Sequence, residues 1–174
     1  MAELSHVQQK FILHWGEMGT RWGINRTVAQ IHVLLFLSAK PLDAEEIAET
    51  LNVARSNVSN GLRELQNWGI VKVVHVMGDR RDHFECMKEV WDMFRIILDE
   101  RKKRETDPTL NVLRECVTEA KKSGDAHTRD RLNDMLGFFE VMTAWYEQTR
   151  RMPTSACMRF VKLGDKVAKM LGVS

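Results

Sequence analysis

Between Ala54 and Trp68 the chain reads ARSNVSNGLRELQNW, and its polar residues are of the kinds that hydrogen-bond to the edges of bases. Asn can pair with adenine through two hydrogen bonds and Arg with guanine in the same way, while Ser reaches base edges or phosphate. Spacing matters as much as type. Ser56, Ser59, Asn60, Arg63 and Asn67 fall at helical intervals on one face, and Val58, Leu62 and Leu65 share the opposite one. Such a helix can bury one side and offer the other to a DNA major groove, with Arg55, Ser56, Asn57, Ser59, Asn60 and Arg63 as contacts. A solvated surface helix has the same two-faced pattern, so the flanking elements must decide.

Upstream, Asp43 followed three residues later by Glu46 forms a capping box, and Leu42 with Ile47 supplies the hydrophobic staple across it. The helix that begins there runs to about Leu51, where Asn52 suits the left-handed conformation that ends it. Val53 and Ala54 leave a turn of only a few residues, the spacing of a helix-turn-helix. Ala54 stands where a capping Ser or Thr is expected, so Ser56 or the backbone must supply that bond. Gly61 costs about 1 kcal/mol against Ala in a helix interior, which calls either for close packing or for close approach to DNA.

Downstream, Gly69 ends the helix and Ile70 to Val76 is β-branched almost throughout, as a strand requires. A polar turn from Met77 to His83 follows, then a short return strand, His83 to Cys86. Helix, helix, strand, charged turn and strand spell a winged helix. Its wing would carry Arg80 and Arg81 toward the minor groove, where a narrow groove attracts arginine.

The remaining segments read as helices that position this unit. Leu4, Val7, Phe11, Trp15 and Met18 form an N-terminal stripe that needs a partner surface, Gly19 and Gly23 mark a turn around Trp22, and Val28 to Leu37 reads as a buried helix. Past Met87, apolar residues through Leu98 precede the charge run DERKKRE, read as a solvated helix end. Asp107-Pro108 would restart the chain as a new helix with Leu110, Leu113, Cys116, Val117 and Ala120 on one side. Asp125 caps a long helix through Leu132, Leu136, Phe139 and Tyr146. Met152-Pro153 breaks it, and Thr154 or Ser155 caps a last helix with Phe160, Val161, Val167, Ala168 and Leu171. The expected fold class is mainly α, a winged helix-turn-helix with a small β-wing plus N- and C-terminal helices.

Composition excludes several classes. The 174 residues are 44% apolar, enough for a core, and 26 basic against 24 acidic residues give a formal charge of +2, so any nucleic-acid affinity must come from local placement. Cys86, Cys116 and Cys157 are odd in number and far apart, which suggests neither a disulfide framework nor a zinc site and fits a reducing cytoplasm; thiol sensing at Cys86 would need a lowered pKa. No apolar run suits a bilayer or a leader. There is no Gly-rich phosphate loop, metal cluster or pair of acids on one face, so an enzyme, a metal and a cofactor are not expected.

The stretches FILHWGEMGTRWGINRTVAQIHVLLFLS, PLDAEEIAETLNVARSNVSNGLRELQNWGIVKVVHVMGDRRDHFE and VWDMFR resemble the GbsR branch of the MarR-type winged-helix transcriptional regulators. The resemblance implies a homodimeric regulator, most often a repressor, that binds a pseudo-palindromic site on double-stranded DNA. It also implies an N-terminal dimerisation helix over 1–24, a DNA-binding domain over 25–88 and a helical dimerisation and effector-sensing module over 89–174. The family's wing pattern Asp-x-Arg is matched by Asp79 and Arg81, the arginine entering the minor groove and the aspartate holding it. Some GbsR-type proteins sense choline or related quaternary ammonium compounds, and such a cation calls for an aromatic cage, for which Trp15, Trp22, Trp68, Trp91 and Phe94 are the candidates. The alternative is a winged helix used for protein contact without sequence-specific DNA binding.

Overall fold

A computed structural model describes residues 4–164, so the expected apolar positions Val167, Ala168 and Leu171 lie outside the described residues. The chain divides after Ile96 into two compact units. In the first, α1 (His6–Arg21), α2 (Arg26–Leu37), α3 (Ala44–Leu51) and α4 (Arg55–Asn67) pack with a three-stranded sheet of β1 (Leu42–Asp43), β2 (Val71–Val74) and β3 (His83–Cys86). Helix α2 is the hub: Val28, Ala29 and Ile31 through Leu35 are all buried.

The capping box at Asp43 forms as its sequence requires. Asp43 Oδ1 accepts from the amides of Glu45 at 2.7 Å and Glu46 at 2.9 Å, and Glu46 Oε2 accepts from Asp43 N at 3.0 Å. An N-cap residue is extended, and Asp43, at φ −80° and ψ 166°, uses that conformation twice. Leu42 and Asp43 pair antiparallel with Phe84 and His83, adding to the expected hairpin a third strand that the sequence did not signal. The sheet order is β1-β3-β2, with Val71 opposite Cys86 and Val74 opposite His83.

Helix α1 buries Ile12, Gly16 and Gly19, and Val7 and Phe11 of its apolar stripe stay exposed, a surface still in need of a partner. The buried side is small because the backbones of α1 and α2 lie close. A Cβ on Gly19 would lie 2.5 Å from Ala29 Cβ, so the glycine face lets α1 come closer to α2 than the larger stripe could.

The second unit begins within α5 (Val90–Arg101), which passes into a π-helical turn (Lys102–Thr106) and α6 (Asp107–Ser123), followed by α7 (Ala126–Arg150) and α8 (Thr154–Lys162). No break occurs at Asp107-Pro108. Pro108 cannot donate to the ladder and its ring crowds the carbonyl four residues back, and a one-residue π widening immediately upstream accommodates both effects without ending the helix. Asp107, expected as a cap, instead receives Lys102 Nζ at 2.7 Å. Leu110, Leu113, Val117 and Ala120 of α6 are buried, whereas no residue of α7 is fully buried. No helix among the described residues is long and apolar enough to cross a membrane.

Candidate nucleic-acid interface

Helix α4 is anchored by Val58, Gly61, Leu62 and Leu65, all buried, and this leaves Arg55, Ser56, Asn57, Asn60 and Arg63 exposed with Ser59 half-buried. Gly61 explains how the helix sits so close to α2. A Cβ there would lie 2.7 Å from Cδ1 of the fully buried Ile31, so close packing is the reason for this glycine. The helix starts at Ala54 without a side-chain cap. Its first amides therefore gain no side-chain acceptor from that position.

The polar stripe of α4 has two flanks. Asn57 and Asn60 border a recess of about 190 Å³ shared with Asn25 and Thr27 at the start of α2. Arg55, Ser59, Arg63 and Gln66 border a cleft of about 430 Å³ whose other side is Arg81 and Asp82 of the wing. Arg55 is held in place, donating from Nη1 to Ser59 Oγ at 2.9 Å with its Nε 3.6 Å from Glu45 Oε2. Arg63 has no ion-pair partner among the described residues.

The wing turn is closed by Asp79 N donating to Val76 O at 3.1 Å, with Gly78 at φ +86°, a conformation that favours glycine. Arg81 does not hang free beyond it. Its Nε donates to both carboxylate oxygens of Asp79, at 3.0 and 3.1 Å, its own amide donates to Asp79 Oδ1 at 3.0 Å, and Nη1 lies 2.5 Å from Asp43 Oδ2. The last contact is ionic, because Asp43 Oδ2 is buried without a hydrogen-bond partner. Arg81 thus ties the wing to the N-terminus of α3, a role for Asp43 that local sequence spacing could not reveal. Arg80 is exposed and, among the described residues, without an ion pair.

The electrostatics follow from these contacts. Hydrogen bonds from Arg81 hold the Asp79 carboxyl well below the usual carboxylate range, and the same bonds raise Arg81. At Asp43 burial pushes the carboxyl up, but the amides of Glu46 and Glu45 together with Arg81 and His83 outweigh it, and the net shift is downward. Asp43, Glu46 and His83 offer ligand atoms within 4.8 Å of one another, the grouping a metal would need. Their oxygens are committed to the capping box, to Lys40 and to Arg81, so the cation this arrangement holds is a guanidinium.

The five candidate cage aromatics separate into groups. Trp15 meets Trp22 edge-on at 5.7 Å and Phe11 at 5.5 Å, while Trp91 meets Phe94 at 6.5 Å. Trp68 is the half-buried C-cap of α4. Between the two ring pairs runs a connection the sequence did not announce: His32, 6.3 Å from the Trp15 ring, places Nε2 2.8 Å from Met93 Sδ. Burial pushes the His32 pKa down to about 4, and burial pushes the Cys86 thiol up to about 11, which removes the thiolate that redox sensing would require.

Residues 22–82 match the MarR family. This segment is similar to the winged helix-turn-helix of that family. The chain is also similar to two curated proteins of Bacillus subtilis (strain 168), the HTH-type transcriptional regulator YvaV, at 22% identity over 91 residues, and the HTH-type transcriptional repressor OpcR, at 21% over 91 residues. The matched region is 52% of this chain and spans about half the length of either relative, 51% and 49%. The fold extends beyond the MarR segment. The crystal structure of a transcriptional regulator superposes with a TM-score of 0.60 at 19% identity, covering 89% of this chain and 98% of that one. The chain therefore has the mainly helical MarR-like architecture with a three-stranded antiparallel sheet and long C-terminal helices.

Proposed function

We propose that this protein is a DNA-binding transcriptional repressor of the GbsR-like kind, a cytoplasmic homodimer acting on a pseudo-palindromic operator. The observation that carries the reading is the exposed stripe of α4, set on a buried apolar face and flanked by a wing that Arg81 fastens beside it. Arg63 and the two asparagines read base edges, Ser56 and Arg55 contact phosphate or bases, and Arg80 serves the minor groove. The similarity to OpcR, a repressor by its name, supports the direction of control. Dimerisation uses the N- and C-terminal helices, supported by the exposed Val7, Phe11 and Leu13 on α1 and Met135, Phe138, Val141 and Trp145 on α7. Two-fold symmetry then sets the two α4 helices about 34 Å apart, one turn of DNA.

A quaternary ammonium effector, the finer part of this reading, would use the ring faces of Trp15 and Trp22 or of Trp91 and Phe94. Binding-site selection with the purified protein tests the main reading: recovery of a palindromic consensus is expected, and enrichment of no sequence at all overturns it. Choline added in a thermal-shift titration tests the finer part, where an unchanged melting temperature at saturating concentration counts against it.

A further inference from the structure

Arg55, the first residue of α4, is restrained from two helices. Its Nη1 donates to Ser59 Oγ, one turn further along α4, at 2.9 Å. From the other side Glu45, the second residue of α3, brings Oε2 to 3.6 Å from Arg55 Nε, an ionic contact longer than a hydrogen bond. Nη2 donates no hydrogen bond among the described residues, and one of the two Nη1 protons is also left over. The outer end of the guanidinium is therefore a fixed pair of unused donors.

Stability does not account for the Glu45 contact. The two side chains are 53% and 66% exposed, and exposed ion pairs contribute little. The carboxylate also lies on the cleft between α4 and the wing, with Arg63 and Arg81, on the face that DNA would approach. There a negative charge repels phosphate, so a surface that only gripped the backbone would bind better without it. What the acid supplies is direction. An unrestrained arginine turns to the nearest phosphate and loses rotamer freedom on binding, whereas one anchored at Nε and Nη1 has lost that freedom beforehand and presents its fork in one orientation. Such a fork matches O6 and N7 of guanine, and the first residues of a recognition helix are those that meet base edges. We propose that Glu45 is a positioning residue that, with Ser59, aims Arg55 at a guanine edge, so that Arg55 reads a base instead of holding phosphate. This rests on the DNA-binding function proposed above. The charge of Glu45 also suits the N-terminus of α3, but that effect acts on stability and leaves base selectivity alone.

The duplex recovered by binding-site selection supplies the test. The full chain is titrated by anisotropy, at one salt concentration, against that duplex, against versions with each G·C pair of one half-site replaced in turn, and against a scrambled duplex. Replacing one particular pair should cost the unaltered chain about tenfold in affinity, and Arg55→Ala should erase the preference at that pair while keeping the others. Glu45→Gln should bind the scrambled duplex more tightly, because a negative charge has left the surface, and yet reduce the preference at the same pair to about threefold. The double variant should discriminate there no less than Arg55→Ala alone, since both changes act on one contact. Urea midpoints report folding, and Glu45→Ala repeats the test should Glu45→Gln fold poorly. A gain on all duplexes with the preference intact would make Glu45 a repelling charge and nothing more. Loss at a pair that Arg55→Ala spares would make Glu45 itself the reader, and uniform weakening by Arg55→Ala would make Arg55 a phosphate contact. Each of these overturns the proposal while the recovered consensus upholds the DNA-binding reading; a selection that enriches no sequence overturns both.

Discussion

Arg81 of the wing places its guanidinium 2.5 Å from the carboxylate of Asp43, the same carboxylate that caps α3. One side chain therefore starts a helix and fastens the wing. Asp43→Asn keeps a capping acceptor but loses the charge, and Asp43→Ala loses both. We expect faster amide exchange at Asp79–His83 in both variants, and an additional loss of about 1 kcal/mol in urea denaturation only for Asp43→Ala. Wing exchange unchanged in Asp43→Asn would show that Asp79 alone holds Arg81.

Gly61→Ala sets two effects against each other. Alanine gains about 1 kcal/mol of helix propensity, whereas forcing a methyl against the buried Ile31 costs about 1–3 kcal/mol. The expected sum is a destabilisation of up to about 2 kcal/mol, read from the urea midpoint. A raised midpoint would mean that α2 and α4 part easily.

His32 makes stability depend on pH. Its folded pKa, about 4, lies below the ordinary value of 6.5, so between these values the unfolded chain binds the proton that the folded chain refuses. The stabilisation is full above pH 6.5 and is lost as pH falls toward 4, by at most about 3 kcal/mol. His32→Leu should flatten the stability curve in that window. Below it the lowered carboxyl of Asp43 adds its own loss as it protonates, since its stabilising contribution belongs to the charged form.

Lys88 donates to three carbonyls at the end of α2, Leu35 and Phe36 at 2.9 Å and Ser38 at 3.0 Å. Lys88→Met should cost about 1–2 kcal/mol by removing a charged donor from carbonyls that have no helical partner. Urea denaturation at two salt concentrations checks it, with a loss that shrinks in high salt.

The four arginines of the proposed interface, Arg55, Arg63, Arg80 and Arg81, differ in freedom, and on the proposed function DNA binding should reflect this. Arg80→Ala should weaken binding to all sequences alike and lower the salt slope by about one, whereas Arg63→Ala should cost about 1–3 kcal/mol on the preferred site and relax selectivity there. Anisotropy titrations against selected and scrambled duplexes at several salt concentrations separate the two. Equal effects of both variants on both duplexes would argue against base reading by Arg63.

Local chemistry was legible in the sequence. The capping box at Asp43, the left-handed Asn52, the two faces of α4 and the return strand at His83–Cys86 depend on residues within a few positions of one another, and all form as their spacing requires. What the sequence left open was decided by partners far along the chain. Gly61 could serve packing or DNA by its sequence, and Ile31 against it decides for packing; Gly16 and Gly19 set the close approach of α1 to α2; Asp107 stays inside a helix because a π turn absorbs Pro108. Asp43 could be read as a cap from its neighbours. That it also holds Arg81 depends on β1 pairing with β3, which brings together residues 38 positions apart, and no local pattern encodes that distance.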